Sequence, residues 1–577
     1  MTSPANTRLP ISDDVEAVLP AAISRADDWL KSTADEEDKA TEQLADLLRD
    51  EDGVKFTMDF VDRVMRPEDD KVAAHALKDI SSHYDPSFLG SINGALVGAG
   101  GFFGPILPNL VMPVARLYMR KMVGHLVLDA ESDALNKILD KAAESGEQLN
   151  LNLLGEAVLG EEEAKSRAER TLKLIKNPRV TYVSVKASSM VAQLNHWDID
   201  GSVERLKERL RPLYQAAADR TDKVFINMDM EEYHDLHLTI RLFKELLSEP
   251  EFLTLDAGIV LQAYLPDTFD ALKDVADFAK ERVAKGGGKV KVRIVKGANL
   301  SMENVQSEVH DWPLATYTNK LDVDANYYRL LDFILRDEYA DSVRIGVATH
   351  NLYTAAMAYE LGKKRGVLHM MDSEMLQGMS PAQQAAVRKV FDGRQILYTP
   401  VVHAEDFDVA VSYLVRRLEE NSAPQNFLYA LFAPGEEPLA DQEETFRRAV
   451  AKRWDTFAGA RRTQNRLEED GRQAPRTGRF TNEADTDPAL APNRQWAQEA
   501  LKRNPGEHGI GEVTDPAAVE GHIARAKELG TEWGKRPAAE RAAALEAVAD
   551  QIASQRGKFI SVAAYEANKT VTQTDPE

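Results

Sequence analysis

Two adjacent arginines followed by a glutamate could form an anion-binding site. In a helical YLVRRLEEN stretch, Tyr413, Arg416, Arg417 and Glu420 fall at i, i+3, i+4 and i+7 and share one face. Paired guanidinium groups suit bidentate binding of a small carboxylate, the glutamate can hold one of them in place, and the tyrosine offers a flat wall with a hydroxyl. A solvated, salt-bridged helix surface would show the same pattern, so the preceding sequence must decide between the two interpretations.

Polar residues that end otherwise apolar runs form a second group of candidates. They are Lys186, Asp229, Gln262, Arg293, Lys296, His350, Glu374 and Tyr398. Buried polar side chains need partners, and a ligand-filled cavity would provide partners for the whole set. A capped strand end or a buried ion pair would explain any single member equally well.

Short β-rich runs alternate with helical stretches, and each run delivers at least one of these residues. The runs begin at Thr181, Lys223, Gly258, Lys289, Val343, Val367 and Arg394. Seven such strand–helix units predict the α/β fold class, with a parallel sheet closed into a (βα)8 TIM-like barrel. A barrel of this kind places its functional residues at the carboxyl ends of its strands, where the polar residues stand.

Amphipathic helical patterns flank the predicted barrel on both sides. We predict a helical arm over 1–85, an apolar Gly/Pro-rich segment with linker helices over 86–150, the barrel over 151–435, a helical linker over 436–495 and a mostly helical closing region over 496–577. The barrel is the part expected to carry the site.

Composition excludes several classes of function. The 577 residues include 94 acidic and 71 basic side chains, a net charge of −23 that works against nonspecific nucleic-acid binding. Cysteine is absent, which removes disulfides, thiolate metal sites and a cysteine nucleophile, and without a zinc-ligand spacing we expect no metal. The first residues lack a signal-peptide pattern, so we expect a cytoplasmic protein.

The stretch from Pro86 to Ala115 has no charged residue and is long enough to span a bilayer. Its glycines and prolines would break a helix that must satisfy its own backbone in lipid. We therefore expect a buried or partner-covered segment, with peripheral contact to the inner face of the cell membrane as the alternative.

Nine short motifs carry a family resemblance. They are LGEA at Leu154, VSVKAS at Val183, NMDMEE at Asn227, LQAY at Leu261, RIVKGA at Arg293, YTNK at Tyr317, ATHN at Ala348, LQGM at Leu376 and YLVRRLEEN at Tyr413. In this order they resemble the proline utilization A (PutA) family of bifunctional flavoenzymes, in which a proline dehydrogenase barrel is fused to an aldehyde dehydrogenase. The resemblance implies FAD-dependent oxidation of L-proline to 1-pyrroline-5-carboxylate, the first step of proline catabolism to glutamate, with the electrons passed to a quinone.

The resemblance also implies roles for individual residues. Lys186, Arg416 and Arg417 would bind the proline carboxylate, Leu376, Tyr398 and Tyr413 would pack on the pyrrolidine ring, and Glu156 would pair with Arg416 as a gate. FAD would be held by Asp229, Gln262, Arg293, Val295, Lys296, Gly297, Thr318, Lys320, Thr349, His350 and Asn351, with Arg293 near the reactive nitrogen N5. The residues expected to take part in catalysis are Lys186, Asp229, Arg293, Tyr398, Arg416 and Arg417.

The DNA-binding role of some relatives is not expected, because a ribbon-helix-helix pattern and a basic patch are absent. The residues from Phe480 to Trp496 and from Tyr565 to Glu577 resemble the start of the aldehyde dehydrogenase half. An enzyme of that class needs a dinucleotide-binding turn and a cysteine nucleophile, which the sequence lacks. We therefore expect residues 496–577 to be a truncated start of that domain, without its activity.

Two other functions stay open. A Schiff-base aldolase on the same barrel would use Lys186 or Lys296 as its nucleophile. A non-catalytic flavin-binding scaffold would instead engage partners through its arm and closing region. Assembly into a homo-oligomer is compatible with all of these functions.

Overall fold

The computed structural model describes the barrel strands and most of the surrounding helices. The described residues are 13–33, 51–67, 69–84, 101, 104–123, 126–130, 132–155, 158, 160–403, 406, 410, 413, 417, 420–421, 423–432, 437–469, 471, 482–503 and 513–577. The remaining parts of the predicted arm and of the apolar Gly/Pro-rich segment lie outside these ranges, and the domain boundaries stay predictions.

Eight parallel strands close into a barrel within the described ranges. The strands of the described sheet are β1 Leu128–Asp129, β2 Gln148–Leu153, β3 Tyr182–Lys186, β4 Phe225–Asp229, β5 Ala257–Gln262, β6 Val290–Val295, β7 Val343–Ala348, β8 Met371–Leu376 and β9 Gln395–Val402, and the last eight of them form the barrel. Strands β2 to β9 pair in chain order, and β9 returns to pair with β2, with Thr399 opposite Leu151. The two-residue strand β1 extends the sheet beside the end of β9. The predicted (βα)8 barrel is confirmed.

The first barrel strand, β2, was not among the seven predicted strands. Its sequence QLNLNL alternates leucine with asparagine, a residue that is depleted in strands, so it lacked the β-rich composition of the other seven. Both asparagines, Asn150 and Asn152, are buried in the barrel. Polar residues inside the barrel are thus the reason that this strand was missed.

The barrel interior contains a chain of buried ion pairs. Lys291 on β6 is fully buried, and its Nζ lies 2.6 Å from Glu374 Oε1 and 3.0 Å from Asp372 Oδ2 on β8. Glu374 also lies 2.8 Å from Nε of Arg293, which follows Lys291 by two residues and therefore points to the same side of β6. Buried charges are tolerated only when they are paired, so these residues depend on one another.

Helices surround the barrel and continue on both sides of it. The described α-helices are α1 Asp13–Thr33, α2 Glu51–Phe60, α3 Asp70–His83, α4 Pro108–Val123, α5 Ser132–Glu144, α6 Glu161–Lys176, α7 Ile199–Asp219, α8 Leu236–Leu247, α9 Thr268–Ala284, α10 Leu300–Val309, α11 Lys320–Ile334, α12 Asp337–Ala340, α13 Leu352–Lys364, α14 Pro381–Val390, α15 Phe427–Phe432, α16 Glu437–Lys452, α17 Ala491–Leu501, α18 Pro516–Lys535, α19 Ala538–Ser554, α20 Arg556–Ala567 and α21 Val571–Thr574. None of the helices in the described ranges is both long enough and apolar enough to cross a membrane.

The described helices before the barrel pack at two different places. Helix α1 packs on α13 in the outer ring, where Arg25 pairs with Glu360 at 2.5 Å. Residues 51–84 instead join an apolar cluster with residues that follow the carboxyl ends of β8 and β9, including Met379 and Leu428. This second part of the arm therefore covers the end of the barrel where the site is expected.

Asp332, at the end of α11, binds the chain that follows the barrel. It is 1% exposed, and its carboxylate lies 2.9 Å from Nε of Arg453 and 2.6 Å from Nη2 of Arg365. Arg453 is also buried and follows α16 directly. The outer end of α11 is thus fixed to two other parts of the chain.

The closing region contacts the barrel through a small apolar cluster. Ala497, Ile560 and Val571 pack there with Trp197 from the loop after β3. Within the same region, Arg556 pairs with Asp575 at 2.7 Å. Helices α18 and α19 contribute no buried residue, so the contact depends on α17, α20 and α21.

Replacing Lys291 by Met should destabilise the barrel strongly. The variant leaves Glu374 and Asp372 buried without their ammonium partner, and breaking a buried pair in this way costs about 3–5 kcal/mol. We expect the midpoint of thermal unfolding, followed by circular dichroism, to fall by several degrees relative to the matched exposed variant Lys285→Met. An unchanged midpoint would show that the buried carboxylates do not need Lys291.

Candidate active site

A cavity of about 330 Å³ lies at the carboxyl ends of the barrel strands. The predicted site residues that line it are Lys186, Asp229, Gln262, Arg293, Val295, Lys296, Gly297, Lys320, Thr349, His350, Asn351, Leu376, Tyr398, Tyr413, Arg417 and Glu420. Thr318 lines a second, larger cavity of about 1030 Å³ that shares several of these residues with the first. Glu156 and Arg416 lie outside the described residues, so their predicted roles stay predictions.

Arg293 is the central cation of the first cavity. Its Nη1 lies 3.7 Å from Asp229 Oδ1, and its guanidinium group stacks 4.5 Å above the centre of the Tyr398 ring. The Tyr398 hydroxyl donates to Asp229 Oδ2 at 3.0 Å and accepts a hydrogen bond from the Asn152 amide. Burial holds the pKa of Tyr398 well above its usual value, so the phenol stays protonated and acts as a donor.

Lys186 and Arg417 are each held in place by a carboxylate. Lys186 Nζ lies 3.2 Å from Glu231 Oε1, a partner that sequence reasoning missed. Both terminal nitrogens of Arg417 lie 2.9 Å from an oxygen of Glu420, and the guanidinium group lies over the Tyr413 ring, 5.4 Å from its centre. Tyr413, Arg417 and Glu420 are helical, as their spacing predicts. Two cations and an aromatic wall therefore face one cavity.

Lys296 and Lys320 share a buried carboxylate between the two cavities. Asp324 Oδ1 lies 2.6 Å from Lys296 Nζ, and Asp324 Oδ2 lies 2.5 Å from Lys320 Nζ. Burial lowers the pKa of Lys296 to about 8, although the Asp324 carboxylate opposes this shift. Burial alone would raise the pKa of Asp324, but the two ammonium groups hold it below its usual value. Sequence reasoning missed Asp324, although its helical i, i+4 spacing from Lys320 was a usable signal.

His350 is a neutral hydrogen-bond donor at the cavity wall. Its Nε2 accepts the backbone N–H of Leu376 at 2.9 Å, so the ring proton resides on Nδ1. Burial, with the nearby charge of Arg417, lowers the pKa of His350 to about 4. The imidazole is therefore uncharged at neutral pH.

Gly297 allows the chain to turn between the two cavities. Its φ of +121° favours glycine, and a Cβ atom there would come within 2.5 Å of the Tyr264 ring. The turn leads into α10, whose first residues, Leu300 to Met302, line the larger cavity. The positive N-terminal end of this helix therefore lies beside the larger cavity.

The family of the chain follows from a comparison with models of known protein families. The model described as proline dehydrogenase matches residues 134–430, which include the barrel strands β2 to β9. The chain belongs to the proline dehydrogenase family.

Relatives of this family member include bifunctional PutA proteins. Those of Klebsiella aerogenes and Escherichia coli (strain K12) are 28% and 26% identical, over 61% and 87% of this chain. The solved PutA structure from Corynebacterium freiburgense is 52% identical, with a TM-score of 0.67 over 80% of this chain. The structure of Bdellovibrio bacteriovorus PutA inactivated by N-propargylglycine is 24% identical, with a TM-score of 0.75 over 97% of this chain, a likeness of fold.

These matches confirm the resemblance to PutA proteins. The chain spans 27% and 40% of the two bacterial relatives and 44% and 59% of the two solved chains. The shared region is therefore part of a longer sequence in each of these relatives.

Replacing Asp324 by Asn should lower the pKa of Lys296 further, by at least about one unit. The change removes the carboxylate that opposes burial and leaves the Lys320 charge nearby, and both effects favour the neutral amine. Competitive acetylation of the lysines at a series of pH values, read by mass spectrometry, measures this pKa. The control is Asp322→Asn, which removes a carboxylate that pairs with Lys452 instead. Equal pKa values of Lys296 in both variants would contradict the assignment.

Proposed function

We propose that this chain oxidises L-proline to 1-pyrroline-5-carboxylate, with FAD as the bound electron acceptor and a quinone as the final one. The observation that carries the proposal is the first cavity, where Lys186 and Arg417 face an aromatic wall. A small amino acid with a carboxylate and an apolar ring matches both features. The family membership supports the same substrate.

The proline carboxylate would bind between Lys186 and Arg417, with Arg416 as the third predicted cation. Glu231 and Glu420 hold two of these side chains before the substrate arrives. Less side-chain freedom is then lost on binding, which favours affinity and a single orientation of the substrate. Leu376, Tyr398 and Tyr413 would bury the pyrrolidine ring and exclude water from the reacting carbon.

The residues between the two cavities fit FAD. Lys296, Gly297, Asn299 and Lys320 line both cavities, so one long ligand could occupy the two together. The N-terminus of α10 and the two lysines suit its phosphates. Gln262 Oε1 is buried and has no hydrogen-bond partner among the described residues, and a ring N–H of the ligand would satisfy it. Once bound, FAD would supply a two-electron acceptor for the hydride that proline loses.

Arg293 would provide the main electrostatic contribution. Its charge is fixed by Glu374 and Asp229 in a buried position, and these anions raise the pKa of Arg293 further despite burial. A fixed cation of this kind stabilises negative charge that develops beside it, without reorganising during the reaction. His350 would add a neutral donor, through Nδ1, to the same cavity.

The aldolase alternative depends on a free lysine amine. Lys186 pairs with Glu231 and Lys296 pairs with Asp324, so each side chain is engaged in an ion pair that favours its charged form. The lowered pKa of Lys296, about 8, is the one observation that favours this alternative. Reduction with borohydride in the presence of a keto acid would trap a lysine adduct only in an aldolase.

The purified chain reconstituted with FAD should show a flavin absorption spectrum that bleaches when L-proline is added without oxygen. A short-chain quinone should restore the spectrum, and 1-pyrroline-5-carboxylate should accumulate in equal amount. A flavin spectrum that proline leaves unchanged would contradict the substrate, and failure to bind FAD would contradict the cofactor.

Replacing Arg417 by Met should raise the KM for proline by about 10²-fold or more, because a hydrogen-bonded ion pair to the carboxylate is lost. The matched control is Arg447→Met, which breaks a similar Arg–Glu pair with Glu443, at an exposed position of α16. Steady-state kinetics with both variants measures the effect. Similar KM values in the two variants would remove Arg417 from the substrate site.

A further inference from the structure

Two histidines and an aspartate meet at the rim of the barrel, outside the residues that line the two cavities. His196 lies in the loop after β3, whereas His234 and Asp235 lie in the 3-10 turn Tyr233–Asp235 after β4. His196 Nε2 is 2.8 Å from Asp235 Oδ1, and His234 Nε2 is 3.6 Å from the same oxygen. One potential ligand atom from each residue lies within 4.8 Å of the other two.

We propose that these three residues form a binding site for a divalent transition-metal ion of the Zn²⁺ type. Imidazole nitrogens and a carboxylate oxygen are the ligands such an ion prefers in a protein without cysteine. With bonds of about 2.0–2.1 Å, the ligand atoms of a tetrahedral ion lie about 3.4 Å apart. Two of the three separations, 2.8 and 3.6 Å, lie on either side of that value and the third is within 4.8 Å, so side-chain rotations would complete the site.

A fourth residue orients one of the ligands. Glu232 Oε2 lies 3.4 Å from Nδ1 of His234, on the side of the ring away from Asp235. A carboxylate at this nitrogen favours the tautomer that leaves Nε2 free to bind a metal, and it makes the imidazole a stronger donor. Metal-binding histidines commonly have such a carboxylate at their other ring nitrogen.

Solvent access leaves room for the remaining ligand. The side chains of His196 and His234 are 18% and 30% exposed, whereas that of Asp235 is 8% exposed. The ion could therefore enter from the surface, and water would complete its coordination. Such a site holds three protein ligands and one open position.

The ion would join two loops that carry active-site residues. Lys186 ends β3 and Ser188 follows it, and Glu231, between β4 and the turn, contacts both of them. A metal bridging His196 and Asp235 would tie these two segments together a few residues away. Metal binding is therefore expected to stabilise the folded chain, because the unfolded chain lacks the assembled site.

The test uses the full chain without a histidine tag, cleared of metal with a chelator. Isothermal titration with Zn²⁺ should give one site per chain, and the double variant His196→Gln/His234→Gln should lose that site. The control His369→Gln changes an exposed histidine elsewhere on the surface and should keep it. Equal Zn²⁺ stoichiometry and affinity in the wild-type chain and the double variant would overturn the proposal.

Three further measurements do not depend on the folding of the double variant. Co²⁺ added to the wild-type chain should produce the visible absorption of a low-coordinate site, and its absence would overturn the proposal. Glu232→Gln leaves all three ligands in place and should weaken Zn²⁺ binding by about tenfold. In the wild-type chain, Zn²⁺ should also raise the midpoint of thermal unfolding, and a midpoint unaffected by Zn²⁺ would count against the site.

Discussion

Alternating charges buried inside the barrel are the interaction on which the rest of the structure depends. Lys291, Glu374, Arg293 and Asp229 follow one another as cation, anion, cation and anion. Each would be costly to bury alone, and each is acceptable because its neighbour has the opposite charge. The period of two along a strand places both cations on one side of β6, and the carboxylates come from β8, at Glu374, and from β4, at Asp229.

The strand between β6 and β8 makes this chain of charges possible. At Gly346 on β7, a Cβ atom would come within 2.1 Å of Glu374 Oε1 and 3.0 Å of the Lys291 side chain. Because this position has no side chain, the carboxylate of β8 can reach across β7 to the cations of β6. The position of Arg293 at the cavity therefore depends on Glu374, whose carboxylate also pairs with Lys291.

The sequence predicted the barrel and many of the residues that line the first cavity, because the relevant signals are local. Seven strands had β-rich composition, and their polar end residues stood at the positions that a barrel brings together. β2 was missed because its buried asparagines are unusual in a strand. Glu231 and Lys291 were missed as partners because strand register, which is not visible in a single sequence, decides which charges meet.

The second cavity could not have been predicted from the barrel motifs alone. Part of its lining comes from the arm, at Asp59, Asp62 and Arg66, which are far in sequence from the turn at Gly297. Their approach depends on an apolar cluster between the arm and the barrel end, and such long-range packing leaves no periodic signal. The cluster of two histidines at the rim was also not predicted. Its residues come from different strand–helix units, and only the fold brings them together.

Helix α11 connects the cavity to a buried ion-pair cluster among the helices around the barrel. Lys320 and Asp324 stand at its inner end, while Asp332, eight residues further on, is clamped by Arg365 and Arg453. Eight residues of helix form a rigid spacer of about 12 Å. The position of Lys320 and Asp324 at the cavity therefore depends on the contacts of Asp332 with Arg365 and Arg453, as well as on local contacts. Substitutions among the residues that contact Asp332 can thus change the cavity. We therefore expect the effects of substituting Asp324 and Arg453 to depend on each other, although Arg453 contacts the far end of the helix.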